Sequence, residues 1–349
     1  MARTCGSSYS IWTTAMRCLF AIFIGAALLG EACSQPAASR DWVKHPAIVE
    51  LESTADIYAL GDIHGDYERM VQLLAGAKLI AGEPDKPEKI QWSAGKAVLV
   101  INGDMINKGD QSYAVLIALR AIRESAATAG GRVVVCMGNH EADFLAQGGS
   151  GAKRAEFIQE LLSRNMKPEE VAAGTDAEGL GAFLRNLPFA VRVNDWFFAH
   201  AGNTQGQTLR QLDLDLQKGV NARGFTAEVL QGSTSILQAR LHPLPWFERA
   251  NEPADSRARR LGEYAAALGV RHIVVGHQPG KLTFSGQPVR HAGELAQRFD
   301  GLLFLIDVGM SRAVGNSTGA LLHIAPGTHD RAWAIDRNGQ EKEIWSRGN

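Results

Sequence analysis

Histidine, aspartate and asparagine residues follow the apolar runs of this 349-residue chain in a regular pattern. Five apolar runs end in glycine-containing loops, and these loops carry Asp62 and His64, Asp104, Asn139 and His140, His200, and His277. Any one loop could be an ordinary turn with a solvated or hydrogen-bonded histidine. Because four of the ten histidines fall at such places, we expect one shared metal site.

These residue types indicate what chemistry the site would perform. Carboxylate and imidazole groups suit divalent ions such as Mn, Zn and Fe. A carboxylate that bridges two ions ~3.5–4 Å apart lets the pair hold a phosphoryl group and lower the pKa of a bridging water. The resulting hydroxide attacks phosphorus in line with the leaving oxygen. The loops therefore predict two divalent ions, of open identity, and a hydrolytic reaction on phosphate.

The elements that position these loops alternate along the chain. Short apolar runs rich in β-branched residues, such as AVLVI and RHIVVG, predict strands, and helical patterns fall between them. This alternation predicts an α/β fold, in which ligands bind at the carboxyl ends of strands. Asn194-Asp195 and Asn338-Gly339 predict hairpin turns, so part of the sheet system is expected to be antiparallel. A helix-rich insertion is predicted at about 150–186.

The loop motifs GDIHG, GD(x)4G, GNHE, HAG and GHQ occur in this order between roughly Asp56 and Asp307. They resemble the motifs of metallophosphoesterases with the calcineurin-like fold. The resemblance is strongest to the phosphoprotein phosphatase (PPP) branch, including its bacterial, Shewanella-like members. It implies an α/β fold of two mixed β-sheets packed as a sandwich and flanked by helices.

The resemblance also implies a role for each motif residue. The implied metal ligands are Asp62 and His64 for the first ion, Asp104 as the bridge, and Asn139, His200 and His277 for the second. His140 would be the general acid that protonates the leaving oxygen, and Asn139 would also face the phosphate. Pro279 stands where the wider superfamily often has another histidine ligand. The PPP branch lacks that histidine too, which favours this branch.

The stretch GDMINKGD departs from the PPP pattern. Asn107 replaces an aspartate that orients the acid histidine, and Lys108 replaces an arginine that grips phosphate. We expect the Asn107 carbonyl to accept a hydrogen bond from the His140 ring, without adding negative charge. We expect Lys108 to neutralise phosphate as a point charge, the alternative being a solvated loop lysine.

A second phosphate-binding cation is expected between HAG and GHQ. Arg249, in PLPWFER, is the candidate that the resemblance suggests, and Arg240 is its rival. An ordinary surface arginine is the alternative for either. Asp110 and Glu141 are expected to support the ligand loops, and for Asp307 a structural role is favoured.

The amino-terminal segment predicts export. Arg17 precedes the apolar stretch Cys18–Leu29, and small residues surround Cys33, which is typical of a secretory leader over 1–32. The resemblance to a lipoprotein signal would make Cys33 a lipid anchor; an uncleaved anchor helix is the alternative. A tether over 33–50 and a catalytic domain over 51–349 are predicted to follow, and the protein would be periplasmic or bound to the membrane through its lipid.

Three functions remain open at this point. With a formal net charge of -1, nucleic acid is not expected as a partner. The leading hypothesis is an exported phosphatase acting on a phosphorylated protein or peptide, or on a small phosphomonoester. A dinucleoside tetraphosphatase shares GDIHG, GNH and HAG and tolerates Asn107. A metal-binding module that has lost catalysis is the third.

Overall fold

The computed structural model describes residues 40–347, apart from 152–154, 254, 285–286 and 328–329. The predicted leader over 1–32 and the candidate anchor Cys33 lie outside the described residues and stay predictions. The predicted tether is wrong for residues 40–50, which belong to the folded domain. Ile48–Leu51 forms a strand, and the Arg40 guanidinium donates to the carbonyl of Leu187 at 2.9 Å.

The strands build two six-stranded sheets and one small hairpin. In chain order they are β1 (Ile48–Leu51), β2 (Ile57–Leu60), β3 (Val98–Ile101), β4 (Arg132–Val135), β5 (Ala190–Val193), β6 (Trp196–Ala199), β7 (His272–Val275), β8 (Leu282–Phe284), β9 (Gln287–Arg290), β10 (Ala296–Arg298), β11 (Leu303–Leu305), β12 (Leu321–Ala325), β13 (Arg331–Ile335) and β14 (Glu341–Ser346). One large sheet has the order β14-β13-β12-β2-β3-β4, the other has the order β1-β5-β6-β7-β11-β10, and β8 pairs with β9.

Both large sheets are mixed, which confirms the predicted fold class. In the first, β2, β3 and β4 are parallel and β12 runs against β2. In the second, β6, β7 and β11 are parallel, and β5 and β6 form an antiparallel hairpin at Asn194-Asp195, as predicted. The hairpin predicted at Asn338-Gly339 joins β13 to β14. The central strands β3, β6 and β7 are buried along their whole length, because both of their faces are covered.

Helices cover the sheets. The helices are α1 (Tyr67–Gly76), α2 (Ser112–Thr128), α3 (Asn139–Ala146), α4 (Ala155–Ser163), α5 (Pro168–Ala173), α6 (Leu180–Arg185), α7 (Leu209–Arg223), α8 (Glu228–Gln231) and α9 (Asp255–Leu268). α1 buries Met70, Leu73 and Leu74, three apolar residues on one face at helical spacing. α4, α5 and α6 occupy the segment that was predicted to be helix-rich. Within the described ranges, no helix is both long and apolar enough to cross a membrane.

One core joins the two large sheets. Trp196 of β6 meets Trp345 of β14 with ring centroids 6.0 Å apart, and buried side chains from both sheets form a single apolar cluster. The packing therefore brings the carboxyl ends of β2, β3 and β4 next to those of β6, β7 and β11. The loops that leave these six strands hold the site described next.

Candidate metal centre

Loops from both large sheets supply the predicted site residues. The first sheet provides Asp62 and His64 after β2, Asp104 after β3, and Asn139 and His140 at the start of α3. All five side chains are buried. Their positions follow from parallel pairing, because parallel neighbours end at the same edge of a sheet.

The second sheet completes the cluster. His200 follows β6, His277 follows β7 and Asp307 follows β11, and all three are buried. The backbone N–H of His277 points at Asp62, 3.1 and 3.2 Å from its two carboxylate oxygens. The structure therefore brings the six predicted metal ligands and His140 together, although they span more than half of the chain.

Asp104 lies at the centre of the cluster. Its Oδ2 is 3.7 Å from His64 Nε2 and 3.8 Å from His140 Nε2, while its Oδ1 is 3.3 Å from His200 Nε2. Two groups of ligand atoms share this carboxylate: one with His64 and His140, the other with His200 and His277. A residue that belongs to both groups is placed as a bridging ligand would be.

Asn139, His200 and His277 place three ligand atoms in a small triangle. Asn139 Oδ1 lies 3.0 Å from His200 Nε2 and 3.1 Å from His277 Nδ1, and these nitrogens are 3.0 Å apart. Atoms that bind one ion at about 2.0–2.2 Å are themselves roughly 3 Å apart. Two imidazole nitrogens this close oppose their lone pairs unless a proton or a metal ion lies between them. The residues present therefore fit a divalent ion.

The main chain fixes which nitrogen of His200 faces this triangle. His200 Nδ1 lies 3.0 Å from the carbonyl oxygen of Asn102, which can only accept, so Nδ1 carries a proton and donates. The Asn102 side chain donates in turn to the carbonyl of Ala199 at 3.2 Å. Asn102 was not singled out from the sequence, although a polar residue ending the apolar run VLVI was an available signal.

Charge in the cluster favours a cation. Burial lowers the pKa of His200, but the carboxylates of Asp104 and Asp62 outweigh burial and raise it to about 10. Burial raises the pKa of Asp104, but His200 and His140 outweigh it and hold that pKa well below its usual value. Burial, followed by the neighbouring Asp307, raises the pKa of Asp62 well above its usual value. The carboxylates that favour a proton on His200 Nε2 would favour a metal ion there equally.

Glu141 supports two ligand loops at once, as predicted. Its carboxylate accepts the backbone N–H of Asp104 at 3.0 Å, Met105 at 2.8 Å, Ile106 at 3.1 Å and Gly138 at 2.8 Å. Burial, and after it the charge of Asp104, raises the Glu141 pKa to about 7. The other predicted support, Asp110, is exposed and makes no hydrogen bond or ion pair among the described residues.

Several ligands have an unusual backbone conformation. His64, Asp104 and His277 have φ values of 45°, 50° and 69°, in the left-handed region that non-glycine residues rarely adopt. Such strain persists only where surrounding contacts hold it, and it concentrates at functional sites. Close packing adds a further constraint, because a Cβ on Gly138 would collide with the backbone of Asp104. The glycines of the motifs thus permit contact between the loops.

Asn107 does not act as predicted. Its side-chain carbonyl oxygen accepts the backbone N–H of Phe157 at 3.2 Å, and the described residues show no hydrogen bond from the His140 ring to this oxygen, so that expected bond is wrong. Phe157 lies in the first turn of α4, where helix N–H groups lack partners within the helix. The Asn107 backbone N–H donates to Ser112 Oγ at 3.0 Å. Asn107 therefore attaches α4 to the loop that carries Asp104.

The candidate phosphate-binding cations lie at different places. Lys108 is exposed and borders a cavity of about 360 Å³ together with Gly65 and Arg312. The Arg249 side chain is 77% exposed and lies 4.0 Å from the Glu252 carboxylate, so its contact with phosphate stays a prediction. Burial and the charge on His200 lower the pKa of His277 to about 3, and the exposed Arg240 adds to this lowering. In the chain, Arg240 adjoins Leu241, whose backbone N–H donates to Gln278, the residue after His277.

A buried cation underlies the cluster and was missed from the sequence. Arg290 is 2% exposed and donates to the main-chain carbonyls of Gln278, Gly280 and Asp307. It ties the loop after β7 to the loop after β11. No local motif marks it, because its three acceptors come from two other loops.

Comparison with known proteins agrees with this geometry. The family model of calcineurin-like phosphoesterases matches residues 55–281. Shewanella-like protein phosphatase 1 of Plasmodium berghei is 27% identical over 266 residues, covering 73% of this chain and 67% of the relative. A symmetrical bis(5'-nucleosyl)-tetraphosphatase of Methylococcus capsulatus is 29% identical over 148 residues, 42% of each chain.

Among solved structures, a cold-active protein-tyrosine phosphatase of a psychrophilic Shewanella species superposes with a TM-score of 0.64 at 21% identity, covering 87% of this chain and 85% of that chain. This likeness concerns the fold. Together with the sequence relatives, it confirms the predicted resemblance to the Shewanella-like branch. Since the family model spans well over half of its length, this chain belongs to the calcineurin-like phosphoesterase family.

Proposed function

We propose that the protein is a dinuclear-metal-dependent phosphomonoesterase whose substrates are phosphorylated proteins or peptides. The observation that carries this proposal is the place of the Asp104 carboxylate, whose Oδ2 lies 3.7 Å from His64 Nε2 and whose Oδ1 lies 3.3 Å from His200 Nε2. A shared carboxylate holds two ions close enough to contact one phosphoryl group. Mn, Zn and Fe all suit the mixed carboxylate, amide and imidazole donors.

In this proposal the ligands and the acid have separate roles. The residues that would hold the metals are Asp62, His64, Asp104, His200, His277 and Asn139 through its amide oxygen. When bound, the two ions would hold the phosphoryl oxygens and activate the attacking water. The protein supplies the remaining chemistry. His140 donates a proton to the leaving oxygen as its bond to phosphorus breaks, and Arg240 and Lys108 offset the phosphate charge.

A second candidate function is hydrolysis of dinucleoside tetraphosphates. The observation that favours it is the similarity to the symmetrical bis(5'-nucleosyl)-tetraphosphatase, which covers 42% of this chain. The relative that covers more of the chain, 73%, is a protein phosphatase by name, and it favours the phosphopeptide substrate. The catalytically inactive module is disfavoured, because all six ligands and His140 converge.

A substrate panel would test the proposal. Metal-depleted protein would be reloaded with Mn, Zn or Fe and assayed on phosphotyrosine and phosphoserine peptides, an aryl phosphate and diadenosine tetraphosphate. Faster turnover of a phosphopeptide, with about two ions bound per chain, would support the proposal. Preference for diadenosine tetraphosphate would support the second candidate. Two bound ions with no turnover on any substrate would indicate the inactive module.

We also propose export, with Cys33 as a lipid anchor. The proposal rests on the leader-like residues 1–32. Expression of the full chain in a bacterium with a clickable fatty acid would label the wild type but not Cys33→Ser. Unlabelled wild type recovered from the periplasm would refute the anchor alone, whereas full-length protein in the cytoplasm would refute export.

A further inference from the structure

Segment 234–248 contacts several loops of the site but supplies none of the predicted metal ligands. At its start, the carbonyl of Ile236 accepts the backbone N–H groups of Ala201 at 2.9 Å and Gly202 at 3.2 Å. The carbonyl of Thr234 accepts the Asn203 side chain at 2.8 Å. These bonds join segment 234–248 to the loop that follows the ligand His200.

Further bonds join segment 234–248 to two other elements of the site. Gln238 Nε2 donates to Asp143 Oδ1 at 3.1 Å, in the helix that begins with Asn139. The backbone N–H of Leu241 donates to Gln278 Oε1, and Gln278 directly follows the ligand His277. Segment 234–248 is therefore attached beside three of the ligands.

The far end of segment 234–248 returns to the loop after β6. Trp246 Nε1 donates to the carbonyl of Ala201 at 3.1 Å, and its ring stacks on Tyr264 with centroids 6.0 Å apart. Arg240 lies between the attachments at Gln238 and Leu241. Its guanidinium is exposed and makes no ion pair within the described residues, so the backbone that carries it limits the region that the guanidinium can reach.

Gln278 contributes a buried acceptor for the backbone N–H of Leu241, the residue that follows Arg240. It is 9% exposed, and its own backbone carbonyl accepts from Arg290, which is itself buried. A side-chain carbonyl in a fixed place defines where the Leu241 N–H lies. The α-carbon of Arg240 belongs to the same planar peptide unit as this N–H, so its position is defined as well.

We propose that Gln278 is a positioning residue, which fixes the Leu241 backbone and so sets where the Arg240 guanidinium meets the substrate phosphate. The inference rests on the proposed function, because it assumes a phosphate at the metals. It predicts that loss of the Gln278 acceptor weakens phosphate binding and leaves the metals in place. A merely structural glutamine would lower stability without a selective effect on phosphate.

The test is a double-mutant cycle of Gln278→Met and Arg240→Ala in the metal-loaded full chain. Methionine keeps the length of the side chain and removes the acceptor. We expect Gln278→Met to raise KM and the dissociation constant of inorganic phosphate roughly fivefold, with kcat within about twofold. The double variant should bind phosphate no more weakly than Arg240→Ala, because the two residues act through one contact.

Controls separate this effect from a general loss of structure. Gln217→Met removes a glutamine that bonds to Asp213 on α7, and it should match the wild type. Trp246→Phe removes the N–H donor to Ala201 and should shift phosphate affinity in the same direction as Gln278→Met, which also covers the case in which Gln278→Met fails to fold.

Three results would overturn the inference: unchanged phosphate binding in Gln278→Met, additive losses in the double variant, or loss of metal from Gln278→Met. Calorimetric titration with phosphate reads binding without turnover. If the wild type hydrolyses no phosphate ester but the cycle behaves as expected, the proposed function fails and the positioning role stands.

Discussion

His200 and His272 are two buried histidines of the same sheet with opposite surroundings. His272 opens β7 and pairs with Trp196, the residue that opens the neighbouring β6, whereas His200 directly follows β6 at its other end. His272 stacks on Trp196 with centroids 4.0 Å apart, and its Nδ1 bonds to the carbonyl of Gly301 at 2.6 Å. Burial lowers the pKa of His272 to about 4, while the pKa of His200 is raised to about 10.

The comparison teaches that burial of a histidine does not by itself identify a site. Both residues are less than 5% exposed. What distinguishes His200 is a carboxylate 3.3 Å from its Nε2 and two further ligand atoms about as close. His272 Nε2 has no hydrogen-bond partner in the described part of the chain and is surrounded by aromatic rings. One environment favours a cation and the other excludes it.

The strongest test removes the carboxylate that makes His200 different. Asp104→Asn keeps the shape of the side chain and removes the charge shared by both ligand groups. We expect phosphatase activity to fall roughly 10³-fold and bound metal to fall below two ions per chain. Elemental analysis and an aryl phosphate assay measure both. Asp85→Asn, which breaks an exposed pair with Lys89, should leave both values unchanged. Full activity in Asp104→Asn would contradict the view that the carboxylate beside His200 makes that histidine part of the site.

A smaller loss is expected when the proposed acid is removed and the metals are kept. His140→Ala should lower kcat on a phosphoserine peptide roughly 10²-fold, because an alkoxide leaves poorly without a proton. An aryl phosphate with a good leaving group should lose much less. Comparing kcat for the two substrates checks this difference. Equal losses on both would assign His140 to metal binding instead.

Glu141→Gln tests whether the loop framework holds the ligands in place. The amide would direct a donor at N–H groups that now share one carboxylate, so at least one buried N–H loses its acceptor. We expect metal affinity to fall roughly tenfold, and urea unfolding to show a stability loss of about 2 kcal/mol. The control Gln340→Glu replaces an exposed amide by a carboxylate, and it should change neither the metal affinity nor the stability. Wild-type metal affinity in Glu141→Gln would mean that the ligand loops keep their positions without the Glu141 carboxylate.

The smallest effect on activity is expected at His272. His272→Phe should leave turnover at pH 7 unchanged while altering the pH dependence of stability. In the unfolded chain His272 has a pKa of 6.5 and is protonated below that pH, whereas in the folded chain its pKa is about 4. The wild type therefore loses stability as the pH falls from 6.5 towards 4. At pH 5 this loss of unfolding free energy due to His272 is about 2 kcal/mol, and His272→Phe should not show it.

Urea unfolding at pH 7 and pH 5 measures this difference. A wild type and a His272→Phe variant with the same pH dependence would contradict the neutral state of His272. Reduced turnover of His272→Phe at pH 7 would contradict the view that His272, at the opposite end of the strands from the site, has no part in activity.

The sequence predicted the parts of the site that depend on local order. Asp62, Asp104 and His277 each follow an apolar strand, and strand ends meet wherever parallel strands pair. The α/β alternation and both hairpins were predicted for the same reason, since alternation and turn residues are read from neighbouring positions, whereas the two mixed sheets were implied by the family resemblance.

The tertiary structure alone decided which distant groups meet these ligands. Asn107 bonds to Phe157, 50 positions away, instead of the predicted His140. The Arg249 side chain is 77% exposed, whereas the backbone of Leu241, the residue after Arg240, bonds to Gln278, 37 positions away. The sequence alone therefore determined the metal-ligand types and their strand-end positions. Contacts between remote loops determined the place of segment 234–248 beside the cluster and the role of Asn107, because such contacts depend on how the two sheets pack and leave no periodic pattern in the chain.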